Sequence, residues 1–213
     1  MEKKNGRVIG LDVSTKTIGI ALFEGDGKLL ELTHITPVIK PKPETKLEEL
    51  FKKVDAFEKL ITRYIELDIE RVIIEEPLLN SNNVYTVATL LKFNGMISKV
   101  VSEVLNVIPE FISSNDARRY AFPELVQKRT TKKDGTPLAE KQIEKNDPVL
   151  FGGFPFDVDK KQIIWEKVSE LQPQIVWEYD KKGKLKKENF DMTDSFAAVR
   201  GFMCKEDIWE CSK

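Results

Sequence analysis

Residues 6–24 read GRVIGLDVSTKTIGIALFE. Two apolar runs, GRVIGLDV and TIGIALFE, flank the polar stretch Ser14-Thr15-Lys16, the pattern of two strands joined by a tight turn. An acid, Asp12, closes the run Val8-Ile9-Gly10-Leu11. A carboxylate inside a stretch that otherwise reads as buried strand carries a desolvation cost unless it is paired or binds a metal. A third strand, KLLELTHIT, follows the turn Gly25-Asp26-Gly27, and Pro37, Pro41 and Pro43 end this meander.

Beyond the meander, helices alternate with strands. From Lys46 to about Leu67, the apolar residues Leu47, Leu50, Phe51, Val54, Phe57, Leu60, Ile61 and Tyr64 recur at helical spacing. ERVIIE is a short strand of the continuously apolar kind expected when both faces are covered, and Glu75 ends its run Val72-Ile73-Ile74. The Asn80–Asn83 stretch supplies a cap for a helix from about Val84 to Asn106. VIPEFI reads as a strand and Ser113 to Phe122 as a short helix. Residues 123–158 show little apolar periodicity and read as a long insertion. KKQIIWEKVSEL returns to helix, residues 175–190 read as a hairpin around Lys182-Gly183, and a final helix begins near Asp191. The expectation is one α/β domain over residues 1–213, with a mixed five-stranded sheet flanked by helices.

Bulk properties bound the function. The 213 residues suffice to bury a core without disulfides or structural metal. The balance of 34 basic against 35 acidic residues does not advertise a strongly basic nucleic-acid binder, so any such surface has to be local. Cys204 and Cys211 are too few for a disulfide framework and lack zinc-site spacing, which reads as a reducing intracellular setting. There is no secretory pattern and no apolar run near the roughly 18 residues of a membrane span. A soluble, cytoplasmic protein without a membrane partner is expected, in a bacterium or, for a viral gene, in the host cell.

Asp12, Glu75, Asp191 and Asp194 form the candidate site. Adjacent strands would bring Asp12 and Glu75 together at one end of the sheet. Asp191 and Asp194, at i and i+3, share a helix face, while Phe196, Val199, Phe202 and Met203 form the stripe that docks that helix. Each acid also has a bland use. Asp12 can bond its own turn, Glu75 or Glu76 can salt-bridge a neighbour, Asp191 can cap the helix, and Asp194 can complement its dipole. Four carboxylates with one histidine in the chain, His34, favour hard cations: Mg²⁺ or Mn²⁺ rather than zinc. Two such ions about 3.5–4 Å apart can drive an in-line phosphodiester displacement without a histidine base.

Three blocks carry a resemblance. GLDVSTKTIGIALF (10–23) resembles the first-strand motif of RuvC-type Holliday junction resolvases, within the ribonuclease H-like superfamily. VIIEEPLLNSNNVYTVATLLKFNGMIS (72–98) is similar to their second motif, and DMTDSFAAVRGF (191–202) to their closing D-x-x-D helix. The resemblance implies that Asp12, Glu75, Asp191 and Asp194 bind two divalent ions, Mg²⁺ with Mn²⁺ able to substitute. It also implies a homodimer that nicks opposed strands of a four-way DNA junction and leaves 5′-phosphates. Family members often carry a wedging aromatic three residues after the second acid; here that position is Leu78, an apolar wedge without base stacking. A basic residue in the helix after the fifth strand assists the family's chemistry, and Arg118 or Arg119 holds about that place. The insertion and the hairpin have no counterpart.

Arg118, Arg119, Lys128, Arg129, Lys132 and Lys133 cluster after the fifth strand and are the expected DNA contacts, through phosphate neutralisation. The lysines of the 175–190 segment read as a solvated loop. Three other functions stay open. A sugar-kinase or actin-like phosphotransferase also carries an acid and small polar residues in its first strand-turn-strand, but needs a second subdomain. A YqgF-like nuclease of structured RNA shares the fold, as does a non-catalytic scaffold.

Overall fold

The computed structural model describes residues 6–77, 83–132, 134–153 and 159–211. Leu78 and Lys133, both expected DNA contacts, lie outside these residues.

The sheet has five strands: β1 (Arg7–Val13), β2 (Ile18–Phe23), β3 (Leu29–Ile35), β4 (Ile69–Glu75) and β5 (Glu110–Ile112), in the order β3-β2-β1-β4-β5. The first three form an antiparallel meander, while β4 and β5 join parallel to β1. Between strands and after them come α1 (Lys46–Ile61), α2 (Val84–Leu105), α3 (Ser114–Ala121), α4 (Glu140–Lys145), α5 (Lys160–Leu171) and α6 (Glu188–Lys205). The α/β expectation with a mixed five-stranded sheet holds. Among the described residues, no helix is long and apolar enough to cross a membrane.

Strand alternation sorts the core into two layers. Ile9, Leu11, Ile20, Val72 and Ile74 point to one face, where α1 and α2 cover them with Phe57, Phe93 and Ile97. Val8, Ala21, Phe23 and Ile73 point to the other, against α3, α5 and α6. By the same alternation Asp12 and Glu75 belong to the α6 face. α6 crosses that face at very close range. A Cβ on Gly19 would stand 1.9 Å from the Asp191 carbonyl oxygen, and one on Gly10 would stand 2.3 Å from that of Ser195. Only glycine lets the helix backbone rest directly on β1 and β2.

Several boundaries differ from expectation for identifiable reasons. The first long helix ends at Ile61 and continues as a 3-10 segment, Thr62–Leu67, before Asp68 turns the chain with φ 51°. Only Glu110–Ile112 of VIPEFI pairs as a strand. The insertion is not structureless. Val126–Gln127 (β6) and Val149–Leu150 (β7) pair antiparallel, and Leu125 and Phe151 are buried in the main core.

The expected 175–190 hairpin reduces to a single bridge, Tyr179 to Leu185, around Gly183 at φ 74°. Asn189 stops the ladder, because its side-chain amide accepts from Glu178 N and donates to Glu178 O at 3.1 and 2.7 Å. The following residues have already entered α6, which starts at Glu188 rather than near Asp191. The cysteines also depart from expectation. Asp207 turns the chain back after α6 with φ 53°, and Cys204 and Cys211 pair as a disulfide.

Candidate active site

Asp12 stands opposite Gly19 in the β1–β2 register, and Gly19 touches the backbone of Asp191. Glu75 ends β4 and pairs with Ile112, the last residue of β5. The carboxylates therefore gather at the carboxyl ends of the parallel strands, the end of an open α/β sheet where ligands bind. Asp191 and Asp194 reach the same place from α6. Glu76 is exposed, whereas Glu75 is buried and acts on Asp12, so Glu75 is the acid that joins the cluster.

The turn after Asp12 is held by Ser14. Its hydroxyl accepts from the backbone N–H groups of Lys16 and Thr17 and donates to Thr17 O at 2.8 Å. The local role open to Asp12 is thus filled by its neighbour. Asp191 does not cap α6 either, since the helix begins three residues earlier.

Electrostatics show four acids crowded together. Burial, then repulsion from Glu75, Asp194 and Asp191, raises Asp12 well above the usual carboxylate range. Burial and Asp194 push Glu75 up to about 7, against the pull of Arg118 and the Ser114 hydroxyl. Burial raises Asp191 to about 6 despite Lys161. Two cations answer this charge, both ion-paired to the α6 acids. Arg118 Nη2 donates to Asp194 Oδ1 at 2.9 Å, and Lys161 Nζ lies 3.3 Å from Asp194 Oδ2 and 4.0 Å from Asp191 Oδ1. Burial opposes the charge on Arg118, but Asp194 and Glu75 outweigh it and hold its pKa above the ordinary value.

Sequence reading left Arg118 and Arg119 as equals; the fold separates them. Arg118 enters the site while Arg119 is exposed. Lys161 was missed. A lysine in the first turn of an amphipathic helix carries no local signal, and only the docking of α5 beside α6 brings it in.

The fit of a divalent cation can be tested on the residues themselves. In favour, the donors are all hard oxygens, and Glu75 Oε2 is buried with no hydrogen-bond partner. Against it, no group of three or more His, Cys, Asp or Glu among the described residues is arranged to hold a metal, and Asp194 is already paired. The chemistry of the donors fits, with Asp12 and Glu75 the two of the four acids that carry no ion pair among the described residues. A cleft of about 370 Å³ opens at Asp191, lined also by Ser14, Thr17 and Lys161 among others.

The other expected DNA contacts lie in the insertion. Lys128 and Lys132 are exposed, with Lys128 donating to Glu144 O at 2.7 Å. Arg129 is half-buried and donates to Thr131 O at 2.6 Å. None of them touches the carboxylates.

With that geometry in place, three solved structures align along almost the whole chain. Thermus thermophilus RuvC in complex with a Holliday junction substrate is 10% identical, covering 94% of this chain and 96% of that one, with a TM-score of 0.56. A second Thermus thermophilus RuvC structure is 14% identical over the same shares, with a TM-score of 0.51. The yeast mitochondrial Holliday junction resolvase Ydc2 is 10% identical, covering 96% of this chain and 80% of that one, with a TM-score of 0.53. The fold is ribonuclease H-like. No protein-family model and no curated protein sequence matches the chain. At such identities the likeness of this chain to the resolvases is one of fold.

Proposed function

We propose that the protein is a metal-dependent, structure-selective DNA endonuclease that cuts four-way junctions or related branched DNA by paired nicks leaving 5′-phosphates. The observation that carries this reading is the convergence of Asp12, Glu75, Asp191 and Asp194 at the carboxyl end of the sheet. The alignment with two junction resolvases supports it.

Asp12 and Glu75 would hold a divalent cation, Mg²⁺ or Mn²⁺, with Asp191 and Asp194 beside them. A bound ion of this kind activates water and stabilises the leaving oxygen of a phosphodiester. The chain's own residues do the rest. Ser14 fixes the turn so that Asp12 is not drawn into it. Arg118 neutralises Asp194 and keeps it in place on α6. The cleft between the Ser14–Thr17 turn and the start of α5 leaves space for a backbone phosphate.

Lys128, Arg129 and Lys132 would neutralise phosphates of a departing DNA arm, together with Arg119. A homodimer would present two sites to a pseudo-two-fold junction. A cytoplasmic setting suits such a substrate.

The test is incubation with labelled four-way junction, linear duplex and structured RNA, with and without Mg²⁺, alongside Asp12→Asn. Paired nicks in the junction only with metal, and binding without cutting by the variant, are expected. Cutting of RNA alone would move the assignment to a structured-RNA nuclease. ATP turnover without cutting would move it to a phosphotransferase.

A further inference from the structure

Four carboxylates share the site with two side-chain cations, Arg118 and Lys161. The two negative charges left over equal the charge of a single divalent ion. The distribution of the cations is as telling as their number. Both make their ion pairs on α6, Arg118 with Asp194 and Lys161 with Asp194 and Asp191, and act on Asp12 and Glu75 only from beyond pairing distance. Among the described residues no ion pair reaches Asp12 or Glu75, and Glu75, only 9% exposed, keeps Oε2 without a donor. A buried carboxylate oxygen in that state is costly, and a cation within reach relieves it.

We propose that this chain holds one divalent ion, on Asp12 and Glu75, and that the Lys161 ammonium takes the place of a second ion beside Asp191 and Asp194. The inference rests on the nuclease reading and departs from the two ions that the resemblance implies. Lysine suits the task, being a compact charge with three donors that can bridge two carboxylates one helical turn apart. Its position is set by α5, whose cap residue Asp159 accepts from the N–H groups of Lys161 and Gln162 at 3.1 and 3.2 Å. The Lys161 side chain, 48% exposed, also lines the cleft, so its ammonium is available to a phosphate there. In this arrangement Lys161 is a positioning residue, which fixes the α6 acids without consuming an ion.

Mn²⁺ binding tests the proposal without reference to cutting. Equilibrium dialysis should count one Mn²⁺ per chain in the wild type, with the electron paramagnetic resonance spectrum of an isolated ion. Lys161→Met should admit a second ion and give the spectrum of an exchange-coupled pair. Asp12→Asn should lose the ion. Lys161 is half-exposed, so the variant is expected to fold, and Lys161→Gln with a circular dichroism control guards against a packing artefact. Two coupled ions in the wild type, or one ion in both lysine variants, would overturn the inference while leaving metal-dependent cutting intact. No Mn²⁺ on the wild type at saturating concentration would overturn both the inference and the nuclease reading.

Discussion

Arg118 and Arg119 are neighbours in sequence with opposite settings. Arg118 is bonded to Asp194 inside the site, whereas Arg119 is exposed. Removing one member of a buried ion pair strands the other, typically at about 3–5 kcal/mol. Arg118→Met should therefore lower the melting temperature and reduce cutting by on the order of 100-fold. Arg119→Met should leave the melting temperature unchanged, with at most a weaker affinity for DNA. Equal effects in thermal melts and nicking assays would contradict the separation.

Glu75 makes a second prediction at the same scale. Its pKa rises from 4.5 to about 7 in the folded protein, so the native state binds more protons than the unfolded chain across that interval. The contribution of Glu75 to metal-free stability should accordingly be fully present below about pH 4.5 and be lost as pH rises towards 7, with Asp12 acting in the same direction. Glu75→Gln should stabilise the metal-free protein at pH 8, by on the order of 2 kcal/mol, while abolishing cutting. Denaturant melts at pH 5 and pH 8 without divalent ions would read the difference, and a stability loss at pH 8 would refute it.

At the scale of elements, everything depends on how closely α6 crosses the sheet. Gly19 admits the Asp191 backbone where any Cβ would collide, and the colliding atoms are main chain, which cannot swing aside. Gly19→Ala should cost about 3 kcal/mol and remove activity, by lifting the acids of α6 away from Asp12. Gly95 is the contrasting case. It lies within α2 with nothing near a would-be Cβ, so Gly95→Ala should stabilise by about 0.5–1 kcal/mol. Chemical denaturation of the two variants checks both signs.

Element scale is also where the sequence was most legible. The runs around Asp12 and Glu75 are short, continuously apolar and closed by an acid, so their acids could be placed on one sheet end. The Phe196–Met203 stripe gave α6 its docking face, and all four of those residues are buried. What stayed hidden depends on tertiary contact. Asn189 stopped a hairpin by bonding Glu178 from a distant position, Leu125 and Phe151 anchored an insertion that local periodicity left blank, and Lys161 met its acids only through the docking of α5 on α6.

For the whole molecule, a net charge of -1 leaves no global attraction to DNA, so affinity has to come from local cations. The insertion carries Lys128, Arg129 and Lys132, away from the carboxylates. Replacing Lys128 and Lys132 together with Gln should flatten the dependence of junction affinity on salt by about 2 in the log–log slope, each phosphate contact being worth about 0.9. Cutting by enzyme saturated with substrate should hold within a few-fold. An unchanged slope in filter-binding titrations would take the insertion out of the DNA path.

The claim on which the account turns is that these distant acids meet in order to hold a hard cation. Anomalous diffraction from crystals soaked in Mn²⁺ tests it most directly. A manganese peak ligated by Asp12 and Glu75, with Arg118 still on Asp194, is the expected result. A saturating soak that leaves those two carboxylates bare, or places manganese only elsewhere on the molecule, would contradict it.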